Sequence, residues 1–335
     1  MKKEMIRLVI VGAVLVFAFL SRAALAENLE RMITSDGYEI NSLFIGEDSS
    51  LKPSLSPGFQ GTGVISEEIL QELEQQPGMI FQTPDGTPFE AVRPMTPYPG
   101  EEMHEVIKGW DTRRRNYTNN YPARAVVYIT FNKPDGTPVS CSGWMISRDT
   151  VATAGHCVHT GGSSGNWCYN WTIYPGRDGF DSPYGSTTAS WAASVSGWVD
   201  RRNEAYDYGV LKLNTDIGDA TGWFGFLWRS GSKGLLNAPA IIPGYPGDKP
   251  DGEQWESADK VRISWNRQIF YYNDTAGGMS GSPIWYDKGN KGPYGIGIHA
   301  YGFPHKDWPH TKYNHGTRIN ETRFNNLKSW INEPK

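Results

Sequence analysis

The chain has 335 residues, with 32 Lys+Arg against 36 Asp+Glu for a formal net charge of −4, and 38 % hydrophobic and 13 % aromatic content. That length suits one large domain or two ordinary ones and is ample for a real hydrophobic core. The charge balance is too mild for a surface built to neutralise nucleic acid, and no phosphate-binding glycine loop is present.

The first segment begins with Lys2 and Lys3, runs through the apolar stretch Leu8 to Leu20, and ends on the small residues Ala24 to Ala26. A basic start, short apolar core and small-residue cleavage site describe a signal peptide over 1–26, and so a secreted, extracellular protein. The 13 apolar residues fall short of the about 20 that span a bilayer, and no other membrane segment follows. From Glu27 to Glu105 there are 3 Lys+Arg against 15 Asp+Glu, net −12. From Val106 to Lys335 the counts are 25 and 20, net +5, and all 13 tryptophans lie at Trp110 or later. The acidic stretch is rich in Pro, Ser and Gly ("LKPSLSPGFQGTG", "VRPMTPYPGEE"), with one helical piece at Ser66 to Gln76. An acidic segment ahead of a basic domain reads as a propeptide, 27–105, and the simpler alternative is a flexible acidic tail.

Beyond about Arg124 the apolar runs are short and separated by Gly, Pro, Asn and Asp. Candidate strands are "RAVVYITF", "SCSGWMIS", "TVATAG", "WTIYPG", "YGVLKL", "PAIIPGY", "KVRISWNRQIFYY", "GSPIW" and "YGIGIHAY". This spacing predicts an all-β antiparallel barrel or sandwich. Only the end is helical in pattern, with Ile319, Phe324, Leu327, Trp330 and Ile331 near one face. The near-repeat "FQTPDGTPF" and "FNKPDGTPV", at Phe81 and Phe131, reads as two tight hairpin-type loops. Cys141, Cys157 and Cys168 allow one bridge and one leftover thiol, and sequence leaves all three pairings open.

A serine hydroxyl needs a base, and the base works best when a third group fixes its tautomer and orientation. "VATAGHCVH" places His156 after a strand-like run, "NEAYDYGVLKL" places Asp207 before an apolar strand, and "GGMSGSP" places Ser280 two positions after Gly278. The backbone N–H groups of Gly278 and Ser280 can converge on an oxyanion. Taken singly, each residue has an ordinary explanation: a core histidine, a strand-start cap, a turn serine. Together, in that order, "TAGHC" with a cysteine 16 positions upstream, the aspartate before a strand and "GGMSGSP" resemble the chymotrypsin-like serine proteases. The resemblance covers roughly Val106 to the C-terminus. It implies a double antiparallel β-barrel with a C-terminal α-helix, a serine endopeptidase domain at 106–335 acting on proteins or peptides, and a Cys141–Cys157 disulfide.

Within that superfamily the chain is most similar to the bacterial glutamyl endopeptidases. It has Thr275 five residues before the serine and "GIGIH" ending at His299. In the family these two residues bind the glutamate carboxylate on the acyl side of the cut. Asp274 argues the other way, because trypsin-like enzymes carry an aspartate six residues before the serine to select Lys or Arg. The residue before the serine is Met279, so the animal-type activation, in which a new amine pairs with an aspartate there, is closed. In staphylococcal-type relatives the new amine instead helps bind the substrate carboxylate. "MHEVIKGWD" offers Val106 as such a start after a cut at Glu105. Cleavage beside Arg113 to Arg115 is the alternative.

His305, His310 and His315 have no HExxH or Cys/His ligand spacing around them and read as a solvated aromatic-rich loop. No cofactor is implied, and a structural calcium ion is not indicated. The expected partners are substrates and the chain's own propeptide, with no nucleic acid or membrane, and a monomeric state. Two rivals remain: a Lys/Arg-cleaving protease using Asp274, and a secreted binding or toxin-like protein with an idle triad.

Overall fold

The computed structural model describes residues 29–37, 39–40, 54–75, 107, 109–287, 292–302 and 307–335. The signal-peptide segment, the Phe81 loop, the proposed start Val106 and His305 lie outside the described residues.

Ahead of the main domain come β1 (Met32–Thr34), β2 (Glu39–Ile40), β3 (Leu55–Ser56) and helix α1 (Glu67–Glu74). Ser66 caps α1 by accepting from the Ile69 N–H, as a serine two or three residues ahead of orphan amides should. After β4 (Arg114–Arg115) come β5 (Val126–Asn132), β6 (Pro138–Met145), β7 (Thr150–Thr153), β8 (Tyr169–Pro175), β9 (Thr187–Val195) and β10 (Gly209–Leu213), with a short α2 (Ser196–Val199) after β9. Strand β10 pairs with both β7 and β9, which closes β5 to β10 into a six-stranded barrel. The Pro-Asp-Gly turn at 134–136 joins β5 to β6: Lys133 N–H donates to Thr137 O and Gly136 takes φ +85.

A short α3 (Gly218–Thr221) leads to β11 (Gly225–Leu227), β12 (Pro239–Gly244), β13 (Trp255–Lys260), β14 (Ile263–Ser264), β15 (Gln268–Tyr271), β16 (Pro283–Tyr286), β17 (Tyr294–Tyr301) and β18 (Asn314–Arg318). These form the second, half-barrel sheet, in the order β14-β15-β18-β17-β16-β12-β13-β4, with β11 added parallel to β17. The stretch 260–272, read above as one strand, is a β13 end followed by a β14–β15 hairpin, because Trp265 to Arg267 turn the chain. The chain closes with α4 (Glu321–Asn332), capped by Asn320, which buries Phe324, Leu327 and Trp330 as the periodicity predicts. Among the described residues no helix is long and apolar enough to cross a membrane.

One core fills the first barrel and continues under α4 through Trp144, Phe224, Phe226 and Trp330. A second, around Ile242, Ile269, Met279 and Ile296, fills the second sheet. Burying a side chain of this size contributes about 1.5–3 kcal/mol, so each unit is held by its own apolar interior. Cys141 and Cys157 are bridged, tying β6 to the turn after β7. Cys168 is a buried free thiol whose pKa burial pushes up to about 12, so it is an inert core residue.

Candidate active site

The turn after β7, Gly155–Cys157, carries His156, and its fixed position comes from both ends. On one side the disulfide holds Cys157. On the other, a side chain at Gly155 would meet the Asp207 carboxylate and the Trp198 ring at 2.9 Å, so only glycine lets the aspartate approach the backbone. Asp207 stands at the end of the single turn Glu204–Tyr206, itself capped by Asn203, immediately before β10. Its carboxylate is fully buried and accepts the His156 N–H at 2.8 Å, while the other oxygen lies 2.7 Å from His156 Nδ1 and also accepts from the Tyr301 hydroxyl. Three donors offset the cost of removing this charge from water. Thr317 Oγ1 donates to the Asp207 carbonyl at 2.7 Å, so β18 fixes the backbone as well.

Ser280 comes from the loop between β15 and β16. Its carbonyl accepts from Ser142 N–H at 2.8 Å, and Cys157 Sγ lies 3.9 Å from the same oxygen. The serine loop of the second sheet is thereby seated on the histidine turn of the first barrel. The Ser280 hydroxyl donates to Ala300 O at 3.4 Å, a long contact that yields easily to a better partner. Gly278 has φ +93, and its carbonyl accepts from Ser142 Oγ at 2.8 Å. Gly281 N–H donates to His299 O and His299 N–H to Ser282 O, which places His299 beside the serine loop.

Asp274 and Thr275, the two candidates for a specificity role, have different surroundings. Asp274 is 2 % exposed, and one carboxylate oxygen accepts from both the backbone N–H (2.9 Å) and the hydroxyl (2.5 Å) of Thr112. Thr112 belongs to the stretch entering the domain, where Arg113 pairs with Asp111 and Asp248. Asp274 is therefore engaged by the entering chain. The Thr275 hydroxyl accepts from Asn314 Nδ2 at 3.0 Å, which directs its own proton elsewhere. His299 Nδ1 lies 2.6 Å from the buried Tyr271 hydroxyl. Burial first, then the nearby His315 and His156, pull the His299 pKa down to about 3, while burial holds Tyr271 well above its ordinary value. His299 is thus a neutral imidazole beside a protonated phenol.

The residues singled out from the sequence, His156, Asp207, Ser280, Thr275 and His299, lie in one region of the structure. Sequence reasoning misses Tyr301, Tyr271 and Thr112. For Tyr301 strand alternation gives no signal, because the register of β17 shifts between His299 and Tyr301. The expectation of a solvated histidine loop is corrected: His315 lies on β18, fully buried between the rings of Phe270 and Tyr301. Glu204, His310 and His315 have ligand atoms within 4.8 Å of one another, a grouping of a type that holds divalent metals. Cys141 and Cys157 also lie close to His156, but the disulfide removes both as ligands.

The model of the trypsin-like peptidase domain matches residues 141–291. A glutamyl endopeptidase of Bacillus licheniformis is 35 % identical over 83 % of this chain and 79 % of its own. An extracellular metalloprotease of Bacillus subtilis is 29 % identical over 93 % of this chain and 90 % of its own. Among solved structures, a Glu endopeptidase in complex with MPD superposes with a TM-score of 0.58 at 27 % identity, covering 68 % of this chain and all of that one. With this fold and these relatives, the chain belongs to the glutamyl endopeptidase family of chymotrypsin-like serine proteases.

Proposed function

We propose that the protein is a secreted serine endopeptidase that cuts on the C-terminal side of glutamate, made with a signal peptide (1–26), a propeptide (27–105) and a monomeric enzyme domain (106–335). Ser280 Oγ attacks the scissile carbonyl as His156 Nε2 takes its proton. Asp207 holds Nδ1 and stabilises the imidazolium that forms, and His156 then returns the proton to the leaving amine. The N–H groups of Gly278 and Ser280 receive the oxyanion, each such donor being worth about 100-fold to 1,000-fold in turnover.

The observation that carries glutamate selectivity is the engagement of Asp274 by Thr112, next to a Thr275 hydroxyl and a neutral His299. With Tyr271 donating to Nδ1, His299 offers Nε2–H to the substrate carboxylate, and Thr275 offers its hydroxyl. Two neutral donors leave the substrate charge uncompensated, and a freed amine at Val106 supplies the positive charge. The test compares kcat/KM on matched peptides with Glu or Arg before the scissile bond. Preference for Glu supports the reading; preference for Arg returns the role to Asp274, and no turnover with no fluorophosphonate labelling of Ser280 would mean an idle site.

A further inference from the structure

We propose that the N-terminal segment described at residues 29–37, 39–40 and 54–75 stays docked on the enzyme domain as a separate chain after the connection to Val106 is cut, anchored by Glu30. The proposal rests on the reading that the chain is cut before Val106.

The segment completes both sheets. On β9, strand β8 covers only Thr187 and Thr188, and β1 covers the far end through Met32↔Val195, Ile33↔Ser194 and Thr34↔Ala193. Ser35 N–H donates to Ala192 O and Ser196 N–H to Arg31 O, extending the ladder at both ends. Without β1 this edge would present unpaired backbone groups, the situation in which strand addition gives affinity. On the second sheet, β3 pairs with β11 through Phe226↔Ser56 and Leu227↔Leu55. Phe59 and Trp223 exchange both backbone hydrogen bonds and bring their rings to 4.5 Å. Here backbone lies on backbone: a side chain at Gly61 (φ +73) would run into the Gly222 N–H, and one at Gly222 into Phe59 O.

The anchor is chemically specific. Glu30 is 8 % exposed. One carboxylate oxygen accepts the Tyr208 hydroxyl at 2.6 Å, and the other lies 3.8 Å from both Arg323 and Arg267. Asn326 Nδ2 donates to Tyr208 OH and to the Glu30 carbonyl. Glu30 thus bridges α4 to Tyr208, the neighbour of Asp207, on the domain's basic side of the charge divide. Helix α1 adds a second hold: Ile69 and Leu73 are buried, and Glu72 accepts from Asp216 N–H at 2.9 Å. Strand pairing, glycine-on-glycine contact, a buried carboxylate and an apolar helix face all act across an interface that needs no peptide bond to 106.

The experiment uses the full chain as Ser280→Ala, with a site for a sequence-specific processing protease placed between residues 76 and 106 and cut after folding. On size exclusion at micromolar concentration, the freed segment is expected to co-elute with the domain. Glu30→Gln is expected to speed its dissociation about tenfold, the difference between a charge-assisted and a neutral hydrogen bond, and Gly61→Ala to release it. Separation of the unsubstituted segment from a domain that keeps its near-ultraviolet circular dichroism overturns the proposal. An unchanged dissociation rate in Glu30→Gln overturns Glu30 as the anchor. A natural N-terminus of the secreted enzyme ahead of residue 76 would leave no separate chain and overturn the proposal, whereas a preference other than Glu would defeat the preceding specificity reading and leave this result standing.

Discussion

Asp274→Asn tests whether this aspartate anchors the entering chain or selects substrate. In the structure its buried carboxylate oxygen accepts two hydrogen bonds from Thr112. An amide keeps an acceptor oxygen but loses the charge, so each bond drops from the charged class, about 1.5–3 kcal/mol, to the neutral class, about 0.5–1.5 kcal/mol. The two together amount to about 2 kcal/mol, which lowers Tm by about 4–8 °C in a domain of this size. The ratio of kcat/KM for Glu to Arg peptides should stay nearly unchanged. Calorimetry and the matched-peptide assay read the two effects separately. A variant that keeps its Tm but loses Arg cleavage on the order of 30-fold or more, as loss of a substrate ion pair would cause, refutes the anchoring argument.

Ser280→Ala is expected to abolish peptide hydrolysis and fluorophosphonate labelling while leaving the circular dichroism spectrum intact, and retained proteolysis would remove Ser280 from its role. Tyr271→Phe removes the phenol that sets the His299 tautomer, so KM for Glu peptides should rise about tenfold with kcat little changed. An equal fall in kcat for Glu and non-Glu peptides would point to a purely structural role. Stability should fall with acidification. The folded-state pKa of His299 is depressed to about 3 by burial against about 6.5 unfolded, so the unfolded state binds the extra proton between these values. The contribution is complete above pH 6.5 and is lost downward at up to about 1.4 kcal/mol per pH unit. His159, depressed to about 4 by burial, adds in the same direction, and a Tm flat from pH 7 to 4 would contradict both. Replacing Cys141 and Cys157 with serine opens a loop of 16 positions, with an expected loss of about 3 kcal/mol read from the denaturation midpoint.

The elements legible in the sequence were those with strong patterning. β5, β10 and β17 carry Val, Ile, Leu and aromatics bounded by turn residues, and α4 carries its apolar face at helical spacing. Strand β9, "TTASWAASV", escaped because Ala and Ser interrupt its Thr, Trp and Val, and β18, "NHGTR", because only its Thr favours a strand. Tertiary pairing with β10 and β17 makes them strands. In the acidic stretch the helical piece at Ser66 to Gln76 is legible and is α1, whereas β1 and β3, which pair with the domain, are not. Two- and three-residue strands carry no period to detect, and their stability comes from edges they complete. At the site, His156, Asp207 and Ser280 are legible because their motifs are local, with glycines and a cysteine at fixed offsets. Asp274 was ambiguous for a physical reason: its partner Thr112 lies 162 positions away, and no local pattern reports which way a buried carboxylate turns.

The most direct test of the account is a map of every bond cut by the purified enzyme in a denatured protein of known sequence, read by mass spectrometry. New C-termini are expected to concentrate at Glu and to be absent in Ser280→Ala. Cuts concentrated after Lys and Arg, or cuts that persist in that variant, would contradict the account.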